Sequence, residues 1–146
     1  MMGGAAIWET LTVGLGVFWG LVWSRRTGWD CGGLITPGLL ALCVTAPARA
    51  VLCLVLGLVL SPVLALVSHA FGLFGRERVG AAMLLSMTAR LALLPIAPAP
   101  LWTGWVVPGL IAVSAGRQGA LMTVCGAVSS SAAAIFSVEL LRGLLA

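Results

Sequence analysis

Residues 32–42 read GGLITPGLLAL, and residues 103–113 read TGWVVPGLIAV. Each stretch sets a Pro-Gly pair inside a short apolar segment, and how that pair is read decides the fold. A shift of 71 positions aligns Gly33 with Gly104, Pro37 with Pro108, Gly38 with Gly109, Leu39 with Leu110 and Ala41 with Ala112, five identities in the nine positions 33–41. Proline fixes its own φ near the helical value and biases the preceding residue towards extended backbone. It therefore suits the first turn of a helix. Thr36-Pro37 and Val107-Pro108 are expected to open half-helices, each entered from an extended stretch.

The surroundings are apolar throughout. Of the 146 residues 61% are hydrophobic and 8% charged, with a mean hydropathy of +1.16. That is too little charge to coat a soluble domain, so the chain reads as an all-α integral membrane protein. Helices are required because backbone polar groups in lipid must pair within the chain, and the two-residue alternation of a barrel is missing. Four long stretches, about Ala5–Trp23, Ala48–Phe71, Val79–Leu94 and Gly119–Leu145, approach the ~20 residues of a spanning helix. Two shorter ones, about Gly33–Thr45 and Gly104–Ala115, carry the Pro-Gly pairs. Linkers fall at SRRTGWD (24–30), GLFGRER (72–78) and PIAPAP (95–100). The chain thus reads as one membrane domain, 1–146, holding two repeats of helix, Pro-Gly-broken segment and helix. Repeat 1 covers about 5–71 and repeat 2 about 79–145.

Orientation turns on whether the short segments cross. If they do, the repeats are inverted relative to each other. Arg25, Arg26, Arg76, Arg78 and Arg117 then share one side, against Arg49 and Arg142. If they are re-entrant, Arg25, Arg26, Arg49 and Arg117 oppose Arg76, Arg78 and Arg142. The positive-inside rule favours crossing, with both termini outside. The run before the first helix lacks positive charge, and SRR follows it. That order is opposite to a secretory signal and fits a retained helix with its C-terminal end in the cytoplasm.

An unwound stretch inside a membrane is tolerated where it is buried in protein or lines a polar cavity. Matched interruptions in two halves point to a binding or translocation site, and half-helix N-termini favour anions. The alternative is that Pro-Gly simply lets helices pack closely. The candidate path residues are Thr36, Pro37, Gly38, Val107, Pro108 and Gly109, together with Arg90 inside MLLSMTARLALL. An intramembrane Arg faces a partner or water, or snorkels to the interface. Asp30 either pairs with Arg25 or Arg26 or is a plain loop residue, and Glu139 is placed to pair with Arg142 three residues on. Glu9, Trp8, Trp23, Trp29 and Trp102 read as interfacial, and SSSAAA (129–134) as a packing face. Cys31, Cys43, Cys53 and Cys125 have no metal spacing and read as buried hydrophobes, and His69 lacks a second ligand nearby. There is no P-loop, GxSxG, HExxH or paired carboxylate, and no basic patch suited to nucleic acid.

Three stretches carry a resemblance: RTGWDCGGLITPGLLAL (26–42), GRERVGAAML (75–84) and TGWVVPGLIAVSAGRQG (103–119). Together they resemble the PgsC/CapC family of bacterial poly-γ-glutamate (capsule) synthesis. That family has a basic Thr-Gly opening before a first VPG, a GRR-like turn before AAML, and a VPGLIA followed by Gln-Gly. The first break here is TPG, and Val113 stands where the family has a polar residue after LIA. The resemblance implies a non-catalytic membrane subunit of an ATP-dependent amide ligase complex in the bacterial cytoplasmic membrane. It implies a Mur-ligase-like partner (PgsB/CapB) using ATP and Mg²⁺, no cofactor in this chain, a PgsA/CapA-like subunit linked to export, and poly-γ-glutamate as the polymer. Arg25, Arg26, Arg76, Arg78, Arg117 and Gln118 are the expected docking residues. The chain is thin for a polymer path, so a homo-oligomer is expected. A stand-alone anion transporter using the same broken helices is the alternative function.

Overall fold

The computed structural model describes residues 2–43, 46–96 and 106–146. They form the helices α1 (Met2–Thr27), α2 (Thr36–Leu42), α3 (Pro47–Phe71), α4 (Arg76–Leu93), α5 (Val107–Gln118) and α6 (Ala120–Leu145). The two short helices begin at Thr36 and Val107, so each proline sits in the first turn, where its missing N–H costs nothing. Three helical stretches, Gly3–Thr27, Pro47–Phe71 and Ala120–Leu145, are long and apolar enough to cross a membrane. At ~1.5 Å per residue each exceeds the ~30 Å hydrocarbon core. The fourth long stretch starts at Arg76 rather than Val79. Its 18 residues include Arg76, Glu77, Arg78 and Arg90, and this sets it apart from the other three. Residues 97–105, which hold most of PIAPAP as well as Trp102 and Gly104, lie outside the described residues.

Helix ends follow local chemistry. α1 runs one turn past Trp23, with Arg25 and Arg26 in its last turn, where cations face the partial negative end of the helix. Gly28, at φ 73°, then turns the chain out of the helix. Thr27 Oγ1 donates to the Trp23 carbonyl at 2.7 Å and accepts the Trp29 N–H at 3.2 Å. Serine and threonine hydroxyls inside the helices bond back to carbonyls one turn earlier, as Thr12 does to Trp8 and Ser130 to Gly126. In an apolar medium this is how a hydroxyl is satisfied without a partner helix.

Packing interlocks the two halves. α2 lies against α1 and α6, and α5 lies against α4 and α3. Each short helix is thus held by the first helix of its own half and the last helix of the other half. α1 and α6 pack together, as do α4 and α3, and α2 touches α5. The core forms around α5. Leu60 and Leu64 of α3 meet Ala82 of α4 and Ala112 and Val113 of α5, while Cys53 of α3 meets Val107 and Ile111.

The close approaches give the helix directions. Gly20 of α1 faces Leu34 and Pro37, and Gly16 faces Gly38. Ala41 and Leu42 share a recess with Trp8, Glu9 and Thr12. Residues 28–42 therefore return antiparallel along α1, from its Thr27 end almost to its start. α3 runs alongside α5 in the same direction, with Gly57 opposite Pro108 and Ile111, and Ser61 near Gly116. α4 runs opposite, with Arg78 over Gly116 and Ala82 and Ser86 over Gly109. Arg117 meets Asp30 at the end of α1. Arg25, Arg26, Arg76, Arg78 and Arg117 consequently gather at one end of the bundle. Arg142 lies over the Trp8 ring, 5.3 Å from its centroid, at the other.

Candidate functional site

The Pro-Gly junctions lie deep in the packing. Thr36 is fully buried, and its Oγ1 donates to the Gly32 carbonyl at 2.6 Å, closing the turn that enters α2. Pro37 and Pro108 are among the fully buried side chains, and Val107 is buried beside them. The glycines serve close approach. A methyl on Gly38 would stand 2.8 Å from the Val13 Cα and carbonyl oxygen, and one on Gly109 would stand 2.7 Å from the Ala82 oxygen. Ordinary carbon contacts are about 3.5–4.0 Å, so only glycine fits either place. The two halves thus use the same device: the glycine after the proline lets the short helix nest on the first helix of its own half.

The stretch between α1 and α2 is unwound and threaded between α5 and α6. Gly32 and Gly33 have φ of 77° and 105°, which glycine adopts without strain. A methyl on Gly32 would stand 3.0 Å from the Ile111 side chain, and one on Gly33 would stand 3.2 Å from that of Leu110. Gly126 of α6 faces the Asp30 carbonyl and Cys31. This irregular stretch, bent rather than extended at Gly32, Gly33 and Ile35, is thereby brought to α5, and the two broken segments meet.

Asp30 anchors the strand at the arginine-rich end. Its backbone N–H donates to Gln118 Oε1 at 2.7 Å, and its carbonyl accepts from Gln118 Nε2. The same Nε2 donates to Thr123 Oγ1 at 3.0 Å. The Asp30 carboxylate pairs with Arg117 at 3.9 Å, with both side chains about half exposed or more. This corrects the expected pairing with Arg25 or Arg26. Those two belong to the last turn of α1, and the turn at Gly28 carries Asp30 across to the end of α5.

Of the docking residues, Arg25, Arg26 and Arg76 are exposed, while Arg78 is half-buried against Gly116 and Gln118 turns inward to Asp30. Arg90 is half-buried and borders a recess of about 410 Å³ with Met87, Thr88, Leu91 and Leu94 of the same helix. A second recess, about 350 Å³, opens at the far end between Trp8, Glu9, Thr12, Ala41, Glu139 and Arg142. There Glu139 and Arg142 form the expected local ion pair at 3.2 Å. Ser130, Ser131 and Ala134 are buried, as a packing face requires. Cys31, Cys43 and Cys53 are buried, but Cys125 is exposed, against expectation, because it falls on the outer side of α6. No group of three metal-ligating side chains occurs among the described residues.

Sequence reasoning passed over two features. The Asp30–Gln118 clasp joins residues 88 positions apart and leaves no mark in local pattern. The seat of α2 does leave one: GVFWG at 16–20 is a Gly-x-x-x-Gly face, and both its glycines meet α2 or its entry.

A family model described as capsule biosynthesis CapC matches residues 15–124, from the middle of α1 to the start of α6. The chain belongs to the capsule biosynthesis CapC family. It is 30% identical over 118 residues to the capsule biosynthesis protein CapC of Bacillus anthracis, covering 75% of this chain and 79% of that protein. It is 31% identical over 117 residues to the PGA biosynthesis protein CapC of Bacillus subtilis (strain 168), covering 75% and 78%. No solved structure matches this CapC-family chain. The matched region takes in both Pro-Gly junctions, Asp30 and Gln118.

Proposed function

We propose that this chain is the membrane subunit of a poly-γ-glutamate synthase complex in the bacterial cytoplasmic membrane. It binds an ATP-dependent, Mur-ligase-like subunit, which carries the ATP and Mg²⁺, and supports synthesis and export of the anionic polymer beside a PgsA/CapA-like subunit. The observation that carries this reading is the kinship to two CapC proteins named for capsule and PGA biosynthesis, joined to a gathering of arginines at one end. By the positive-inside rule that end is cytoplasmic. Arg25, Arg26, Arg76 and Arg117, with the half-buried Arg78 beside them, present the charge that an acidic ligase face or a nascent polyanion would meet.

The same reading takes the halves as inverted repeats, since the three helices of the second half run opposite to their counterparts in the first. The polymer path is placed along the broken segments, at Thr36, Pro37, Gly38, Val107, Pro108 and Gly109, with Arg90 on the way out. In the state described here those residues are closed in by neighbouring helices. The path therefore requires the strand 28–35 to move, or a second copy to complete it. Deleting the chain in a polymer-producing host tests the role. Output should vanish and return on complementation, whereas unchanged output contradicts it.

A further inference from the structure

At the arginine-rich end both backbone groups of Asp30 are held by one side chain, that of Gln118. A primary amide offers a donor and an acceptor side by side, and Gln118 presents both to the backbone of Asp30, as a neighbouring β-strand would. Its remaining N–H is taken up by Thr123, which in turn donates to the Gly119 carbonyl at 3.0 Å. The amide is thus oriented from α6 and applied to the strand from α5. Gly119, at φ 101°, breaks the chain between those helices and sets Gln118 at the junction. The ionic tie, Arg117 to Asp30, is long and exposed, a geometry worth little in water, and the Cys31 thiol adds only a weak bond to the Gly20 carbonyl at 4.0 Å. Further in, glycines at positions 28, 32 and 33 leave the strand backbone free to turn.

We infer that Gln118 is the positioning residue that latches the strand 28–35 shut against α5 and α6, and so keeps the Pro-Gly junction at Thr36–Gly38 closed. This builds on the proposed path through the broken segments. The latch itself is a property of this chain and is measured without polymer. Because it grips backbone, the residue type at position 30 matters less than that at 118. Asparagine carries the same amide on a side chain shorter by one methylene. Ionised glutamate has the length but only acceptors, and it faces the Asp30 carbonyl and carboxylate. Protonated glutamate again has one donor and one acceptor.

The test is hydrogen–deuterium exchange of the purified full chain in detergent micelles, comparing wild type, Gln118→Glu and Gln118→Asn at the same pH. Gln118→Glu keeps an acceptor for the Asp30 N–H but loses the bond to the Asp30 carbonyl and sets a carboxylate against that oxygen, which should speed exchange across 28–35 by roughly tenfold or more at pH 7.5, with α3 and α6 unchanged. The charged groups facing position 118 are Asp30 and Arg117, and both are present in every sample. At pH 4, just below the ordinary glutamate pKa of ~4.3, Gln118→Glu should move most of the way to wild type, while Gln118→Asn should stay faster than wild type at both pH values. Wild-type exchange in either folded variant at pH 7.5 overturns the latch. So does a Gln118→Glu effect that is undiminished at pH 4. If Gln118→Glu does not fold, the Asn variant alone decides. Polymer output in cells is scored separately. Altered exchange with normal output leaves the latch standing and removes its link to the path.

Discussion

Replacing Gly38 by alanine adds one methyl group at the seat of α2. The methyl would stand 2.8 Å from the Val13 Cα and the Val13 carbonyl oxygen, both of them backbone atoms that cannot rotate away. Restoring contacts of about 3.5–4.0 Å requires the two helices to part by roughly an ångström. Overpacking of this kind costs about 1–3 kcal/mol. Alanine also gains up to ~1 kcal/mol over glycine in a helix, which masks part of the loss. Gly14, next to Val13 in α1, supplies the control, because nothing lies within 4 Å of a methyl there. Subtracting Gly14→Ala from Gly38→Ala largely cancels the propensity gain and leaves the clash, about 1–3 kcal/mol, or a five- to 150-fold shift in the unfolding equilibrium. Reversible unfolding in mixed micelles, followed by circular dichroism, reads it directly. A Gly38→Ala chain as stable as Gly14→Ala would refute the close nesting of α2 on α1.

The second half should behave alike. Gly109→Ala drives a methyl against the Ala82 carbonyl and should destabilise by a similar amount in the same assay. Thiol labelling of the folded chain with a maleimide should modify Cys125 well before Cys31, Cys43 and Cys53, and Cys125→Ser should remove the fast phase. Reversing the charge of Arg25, Arg26 and Arg76 together should cut capture of the ligase subunit at least tenfold while leaving unfolding within about 1 kcal/mol of wild type, since all three are exposed. Retained capture would move the docking surface elsewhere.

Much of this fold was legible because the bilayer leaves few choices. Apolar runs of helical length located the long helices, and the 71-residue echo placed the short-helix starts at Thr36 and Val107. What the Pro-Gly pairs do was less legible. The proline signals where a helix begins, and the structure agrees. The glycine was open to two readings, and its contact with Val13 or Ala82 is that of a packing glycine. Local pattern cannot separate a glycine that exposes backbone from one that admits a neighbouring helix, because the difference lies in what arrives from elsewhere in the chain. The site at Asp30 was hidden for the same reason. An amide gripping a peptide group needs no complementary side chain at position 30, so charge pairing pointed to the nearer Arg25 and Arg26, whereas the fold supplies Arg117 and Gln118.

The proposed role, membrane partner of an ATP-dependent ligase that builds poly-γ-glutamate, is open to direct test. The most direct measurement is affinity purification of the tagged chain from its native membrane, followed by an assay for glutamate incorporation with and without ATP. The account predicts that a Mur-ligase-like protein accompanies the chain and that the pair lengthens a γ-linked glutamate polymer only when ATP and Mg²⁺ are present. Recovery of the chain alone from membranes that actively make the polymer, or equal incorporation by the ligase fraction without it, would contradict the account.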